Sequence, residues 1–404
     1  MSFLKKYKGV FFKAVVASTA LLLYCSSLSS CIADVQKNPS VTYAPRRDEQ
    51  VLSDSVMPPV SAKSAVLIDA DSGELLCSKN PDERMSMAST TKIMTALVAI
   101  EMGELDSEVT ISREAVGVEG SSIYLYEGER LTLENLLYAT LLESANDAAT
   151  AVAIHVGGSV EGFAEMMNQK AAELGLKDTH FTNPHGLDDS EHYTTARELA
   201  KVAAAAMKND TFREIVATHK KTIPLNETEG VRLLINHNKL LKNYDGAIGI
   251  KTGYTKKSGR CLVSAAERDG LNLICVTLSA PDDWQDHKAL LDYGFSTYES
   301  RLLATPGEIK HILPVVGSDK SYVTLTNAGE IRVTLPRSAP AAECRIEVAR
   351  FEYAPISEGE LLGRVIYTVD GKVVATSPLL SSYSAGSLKH KISLWKRITL
   401  LFEK

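Results

Sequence analysis

Between residues 60 and 300 the chain is patterned for strands at both ends and for helices in between, and this constrains the fold most. Ala65-Val66-Leu67-Ile68 reads as a buried strand, Asp71-Ser72-Gly73 as a turn and Glu74-Leu75-Leu76-Cys77 as its hairpin partner. After Ser89 the spacing of Ile93, Leu97 and Ile100 predicts a helix ending near Gly103. Leu131 to Val156 reads as largely helical, with an alanine-rich stretch around Ser144-Ala145-Asn146. Helices follow over Phe163 to Leu174 and Thr195 to Met207, separated by a turn at Asn183-Pro184-His185-Gly186-Leu187. From Gly246 the strands return. Ile248-Gly249-Ile250-Lys251 leads to Cys261–Ala266, turns at Asp269-Gly270, continues through Leu273–Leu278 and closes with a helix over Lys288–Tyr298. Such an order predicts one α/β (α+β) domain over 60–300, whose two ends meet in a single antiparallel sheet.

The remainder has a different texture. Residues 34–59 are polar and aperiodic and read as a flexible leader. Residues 301–385 carry short β runs at Ile309–Ile312, Tyr322–Leu325, Ile331–Leu335, Arg345–Val348, Arg364–Thr368 and Val373–Ala375, with a hairpin signal at Asp370-Gly371. They predict a small all-β domain. In the final segment, 386–404, Leu388, Ile392, Trp395, Ile398 and Phe402 share one helical face, with Lys389, Lys396 and Arg397 off it. A basic amphipathic helix of this kind suits a membrane surface; the competing reading is a helix packed on the β domain.

Charge and the N-terminus agree with that placement. The first 30 residues carry a net +4 and residues 388–404 another +4, which leaves the body at −14 in a chain of net charge −6. An acidic body argues against nucleic acid as a partner. Lys5, Lys6, Lys8 and Lys13 flank an apolar run, Ala14 to Tyr24, too short for a comfortable membrane span, and a small-residue stretch follows. Residues 1–33 therefore read as an export signal. Ordinary cleavage after Ala33 is favoured over lipidation of Cys31 at a lipobox, Leu28-Ser29-Ser30-Cys31, and over a retained anchor.

Three motifs carry chemistry: Ser89-Thr90-Thr91-Lys92, Ser144-Ala145-Asn146 and Lys251-Thr252-Gly253. Each alone is weak. The first alone is an ordinary helix N-cap with a surface lysine. Together, and in this order, they equip an active-site serine for acyl transfer on D-Ala-D-Ala-type peptides or on the β-lactams that mimic them. A serine hydroxyl needs a base, and Lys92 lies one turn along from Ser89. That lysine must be neutral, which burial and a neighbouring Lys251 would favour. Ser144 offers a hydroxyl to relay a proton to the departing amine, and Asn146 can bond Lys92 and the substrate amide. Lys251 and Thr252 would hold a terminal carboxylate, with Gly253 giving room for an extended substrate backbone.

The chain resembles the low-molecular-weight penicillin-binding proteins, the serine-type D-Ala-D-Ala carboxypeptidases of bacteria. The likeness spans about residues 60–385. It rests on Met87-Ala88-Ser89-Thr90-Thr91-Lys92, Glu143-Ser144-Ala145-Asn146-Asp147, Phe181-Thr182-Asn183-Pro184-His185-Gly186-Leu187 and Gly249-Ile250-Lys251-Thr252-Gly253-Tyr254. The resemblance implies a serine penicillin-recognising transpeptidase-like domain. It also implies Ser89 as the acylated nucleophile, Lys92 as base, Ser144 as proton relay and Lys251 as carboxylate binder. The substrate would be the peptidoglycan stem pentapeptide, with β-lactams as covalent inhibitors, at the outer face of the cytoplasmic membrane. Some relatives place a basic residue near the stretch here occupied by Pro281-Asp282-Asp283-Trp284, and none is evident there.

No cofactor is expected. His185, in a turn, reads as structural rather than as a base, and the spacings of His180 and His192 make no metal motif. Cys261 and Cys275 read as buried thiols in preference to a cross-strand disulfide. Three other functions share some of these features: a class A β-lactamase, a DD-endopeptidase and a non-catalytic wall-binding protein. Ala145, where that lactamase class commonly has Asp, the β domain and the basic tail argue against the first; the intact Ser89, Lys92 and Lys251 argue against the last.

Overall fold

The computed structural model describes residues 57–225 and 230–388. The export signal, most of the leader and the tail from Lys389 lie outside the described residues.

The two ends of the 60–300 region do meet in one sheet. Its order is Leu75–Lys79, Ser64–Asp69, Leu271–Leu278, Gly259–Arg268 and Ala247–Thr255, every pair antiparallel. Leu67 sits opposite Cys77 on one side and Cys275 on the other. Ser64–Asp69 is buried throughout because both faces of the sheet are covered, which explains its unbroken apolar run. Val66, Ile68, Val263, Ile274 and Val276 face the helical region. Leu67, Leu273 and Cys275 pack with Leu290, Leu291 and Phe295 of the helix Asp283–Thr297 on the opposite face. Asp269 and Gly270 close their hairpin at φ values of 50° and 75°, as a two-residue loop of this hand demands.

Lys92–Met102 forms the central helix and is buried from Lys92 to Ala99. It is apolar nearly all round because Leu133–Leu142, Asn146–Gly157, Ala196–Met207 and the sheet surround it. Thr195 caps its helix by accepting from Glu198 N–H at 3.1 Å.

Two expectations are corrected in detail. The helix expected across Leu131–Val156 is broken into Leu133–Leu142 and Asn146–Gly157. Ser144 takes a left-handed φ of 59° and Ala145 is extended, so the second motif is a sharp turn rather than a helical step. The helix expected from Lys288 begins at Asp283. A hairpin, Lys220–Leu225 with Gly230–Ile235, was not anticipated.

After Thr297 the elements among the described residues are all strands. Tyr298–Ala304 pairs with Ile331–Pro336. A six-stranded sheet runs Glu343–Val348, Leu361–Val369, Lys372–Ser381, Tyr322–Asn327, Lys310–Val316 and Glu352–Tyr353, the last pair parallel. Leu313, Val323, Leu325, Val365 and Leu379 form its core. Among the described residues no helix is long and apolar enough to cross a membrane. Cys77, Cys261 and Cys275 are buried free thiols and Cys344 is an exposed one.

Candidate active site

Ser89 lies in a short 3-10 turn, Ala88–Thr91, that runs into the buried central helix. Lys92 is therefore the first residue of that helix and is fully buried. Its Nζ donates to Ser89 Oγ at 3.0 Å, to Asn146 Oδ1 at 2.7 Å and to the His185 carbonyl at 2.7 Å. Three acceptors thus fix the amine within reach of the serine. Burial, followed by the nearby Lys251, pushes the Lys92 ammonium well below its usual range, with Asp147 partly opposing. Lys251 is itself buried, which lowers it to about 7. Its Nζ donates to the Thr252 carbonyl at 2.9 Å.

The second motif comes from the turn between two helices. Asn146 begins its helix and reaches both Lys92 and, through Nδ2, the Glu119 carbonyl at 2.5 Å. A side chain at Gly120 would strike that amide at 2.6 Å, so glycine is required there. Ser144 Oγ is buried and has no hydrogen-bond partner among the described residues, an unusual state for a hydroxyl and one a ligand can relieve. Asp147 collects Ser122 Oγ, Ile123 N–H and Leu125 N–H, which ties the 119–125 loop to the start of this helix.

The third motif lies on Ala247–Thr255, the edge strand of the sheet. Its outer side is free to pair with an extended peptide. A Cβ on Gly253 would stand 3.1 Å from both Ser89 N and Thr90 N, so the strand runs hard against the serine turn. The structure brings Ser89, Lys92 and Asn146 into direct contact and sets Gly253 against the serine turn. Lys251 acts on Lys92 through its charge, and Thr252 is half-buried beside it.

Other parts of the site were invisible at the level of motifs. His185 contributes its carbonyl, not its ring, whose pKa burial lowers to about 3. Gly186 presses so close to the Ala88 carbonyl that a Cβ would lie 1.9 Å from it. Asp188 accepts from Thr255 Oγ1 at 3.0 Å, so the same loop also holds the end of the third-motif strand. His192 lies beneath the serine turn. Thr182 N–H donates to its Nδ1 at 3.0 Å, so the ring proton is on Nε2, 2.8 Å from Thr91 Oγ1. That hydroxyl in turn donates to the Ala88 carbonyl at 2.8 Å. Near Pro281–Trp284, a basic residue does arrive from another strand. Arg260, opposite Tyr254, pairs with Asp283 at 3.0 Å and is thereby committed to a carboxylate of this chain.

Two family models match. Residues 52–282 fit D-alanyl-D-alanine carboxypeptidase, and residues 298–385 fit the C-terminal domain of penicillin-binding protein 5. D-alanyl-D-alanine carboxypeptidase DacF of Bacillus subtilis is 34% identical over 328 residues, 79% of this chain and 84% of that one. The crystal structure of penicillin-binding protein 5 from Haemophilus influenzae has a TM-score of 0.70 at 30% identity, covering 82% of this chain and all of that one. The Streptomyces DD-transpeptidase is 36% identical with a TM-score of 0.57, and covers 60% of this chain and 99% of its own. The chain belongs to the D-alanyl-D-alanine carboxypeptidase family, the low-molecular-weight penicillin-binding proteins.

Proposed function

We propose that this protein is exported and removes the C-terminal D-alanine from peptidoglycan stem pentapeptides, with Ser89, Lys92, Ser144 and Lys251 as its working groups. The observation that carries the assignment is the buried Lys92 Nζ, 3.0 Å from Ser89 Oγ and depressed in pKa by burial and by Lys251. A neutral amine there takes the Ser89 proton as Oγ bonds to the carbonyl carbon of the penultimate D-alanine. The oxyanion develops at the N-terminal end of the buried helix that follows Ser89, an environment that favours negative charge. The tetrahedral intermediate collapses by breaking the peptide C–N bond, and the Ser144 hydroxyl relays the Lys92 proton to the departing amine. Water then attacks the ester, gives a proton back through Lys92 to Ser89 Oγ, and releases the shortened peptide. Lys251 and Thr252 hold the terminal carboxylate, while Asn146 and the free edge at Gly253 align the backbone.

A β-lactam enters the same step, but its amine remains tethered to the acyl group. The ester then outlives that of a peptide, which separates this reading from a β-lactamase. Incubation with a stem pentapeptide and with penicillin, followed by mass spectrometry, tests it. Loss of one alanine and a persistent adduct on Ser89 are expected, and Ser89→Ala abolishes both. Rapid release of penicilloate indicates a lactamase. Cleavage of cross-linked dimers in preference to pentapeptide indicates an endopeptidase.

The basic amphipathic pattern of 388–404 supports peripheral attachment to the outer face of the cytoplasmic membrane after removal of residues 1–33.

A further inference from the structure

The six-stranded sheet has a solvent-facing side of unusual composition. Lys310–Val316 alternates cleanly: Leu313 and Val315 point into the core, while Ile312 and Val316 point out. Ile312 is 63% exposed. Its neighbours across the ladder belong to the same outer face, with Pro314 opposite Tyr322 and Val316 beside Tyr353. Tyr353 is 65% exposed and meets the Phe351 ring edge-on at 5.5 Å between centroids. Along the exposed positions of Lys310–Val316 the one charge is Lys310, at the far end. A contiguous apolar and aromatic face of this kind marks a contact surface rather than ordinary scatter.

The path of the chain indicates what it contacts. Ser387 bridges to Ser318, and Leu388 N–H donates to the Gly317 carbonyl at 2.8 Å. Gly317 directly follows Val316, so the basic amphipathic segment departs from the corner formed by Val316, Tyr353 and Phe351. A segment lying in a membrane interface holds its first residue at headgroup depth. The corner bonded to that residue is held at the same depth. Tyrosine rings suit that zone, because one end is apolar and the phenol end stays wet, and the Phe351 ring adds apolar area beside Tyr353.

We propose that Ile312, Val316, Tyr322, Phe351 and Tyr353 form a second lipid-contact surface, seated on the bilayer beside the tail. The proposal rests on the membrane reading of residues 388–404. Two attachments on one rigid domain act with high effective concentration, so each strengthens the other.

The test uses the full chain and vesicles of phosphatidylcholine with and without phosphatidylglycerol. The triple variant Val316→Ser, Phe351→Ser and Tyr353→Ser is expected to weaken vesicle binding roughly tenfold through the lost second contact. Its melting temperature and turnover of a soluble peptide stay at wild-type values, since all three side chains are exposed and remote from the motifs. Tyr353→Glu alone, which places a charge on the surface, serves if the triple variant folds poorly. A variant that binds vesicles as tightly as wild type overturns the lipid surface and leaves the tail reading standing. Failure of the unaltered chain to bind vesicles, or wild-type binding by Trp395→Ser with Ile398→Ser, overturns the tail reading itself. Unchanged vesicle binding together with loss of a dimer in sedimentation assigns the face to a second copy and also overturns the proposal.

Discussion

Ala88 and Ser144 both adopt left-handed backbone conformations, at φ 47° and 59°, and each lies at a motif serine. Non-glycine residues are held there only when the surroundings over-determine them. At Ala88 the surroundings include Gly186, which crowds its carbonyl, and Thr91 Oγ1, which donates to it under His192. Asparagine places its amide near the Nδ1 position of histidine and glutamine near the Nε2 position. His192→Gln should therefore keep the bond to Thr91 and acylate near the wild-type rate, while His192→Asn should lose roughly tenfold or less of the rate, as one buried hydrogen bond allows. Stopped-flow acylation by penicillin measures both; equal rates would remove His192 from the positioning of Ser89. The depressed Lys92 fixes the acid limb of the same reaction. Its neutral form is the reactive one, so the acylation rate should fall tenfold per unit below its pKa, with the break well below 10.5. A pH series from 5 to 10 measures it. Ser89 and Lys92 were legible because a three-residue spacing on a helix fixes neighbours locally. His192 was not, because Thr91 and Thr182 become its partners only through tertiary packing.

At the scale of elements, the edge strand and the unanticipated hairpin each govern the site. Gly253→Ala puts a Cβ 3.1 Å from two backbone nitrogens of the serine turn, tight enough to push strand and turn apart by a few tenths of an ångström. Acylation should drop roughly tenfold to a hundredfold with little loss of melting temperature, since a displacement of this order misaligns reacting groups. The hairpin acts through Arg232, which pairs with the fully buried Glu129 and donates to the Ile123 carbonyl at 3.0 Å. Glu129 in turn accepts from Tyr126 N–H at 3.2 Å. Arg232→Ala strands a buried carboxylate and should cost about 3–5 kcal/mol in urea unfolding. The 119–125 loop, which supplies the Glu119 carbonyl to Asn146, loosens with it. The strands of the main sheet were legible from their unbroken apolar runs. This hairpin was not: Val231, Leu233 and Ile235 alternate with Arg232 and Leu234, but its apolar outer face is exposed and so looks like no core element.

For the molecule as a whole, buried histidines set the response to acid. His287 is wholly buried between Ser264 Oγ at 2.6 Å and Thr277 Oγ1 at 2.9 Å, and burial lowers it to about 3. His185 and His192 are lowered by burial to about 3 and about 4. Each is neutral when folded and protonates near 6.5 when unfolded, so the unfolded chain binds more protons below that pH. Stability is therefore full above about pH 6.5 and falls as pH drops through the window towards the folded values, by up to about 1.4 kcal/mol per unit for each histidine. Thermal melting between pH 8 and 5 should show this slope, and His287→Gln should flatten it. Unchanged melting over that range would contradict it. The architecture was legible at this scale because helical and β periods alternate in long blocks. The lengths of individual helices around Ser144 and Asp283 were not, since tertiary turns set them.

The sheet that carries Lys251 begins with strands from residues 64–79 and ends with strands from 247–278. Seen in the order of synthesis, the serine turn is made early and its surroundings late. Ser89 emerges with Lys92 already beside it, yet the edge strand and the cation that helps depress the amine come about 160 residues later. The site around Ser89 is therefore complete only once the strands up to residue 278 have joined the sheet.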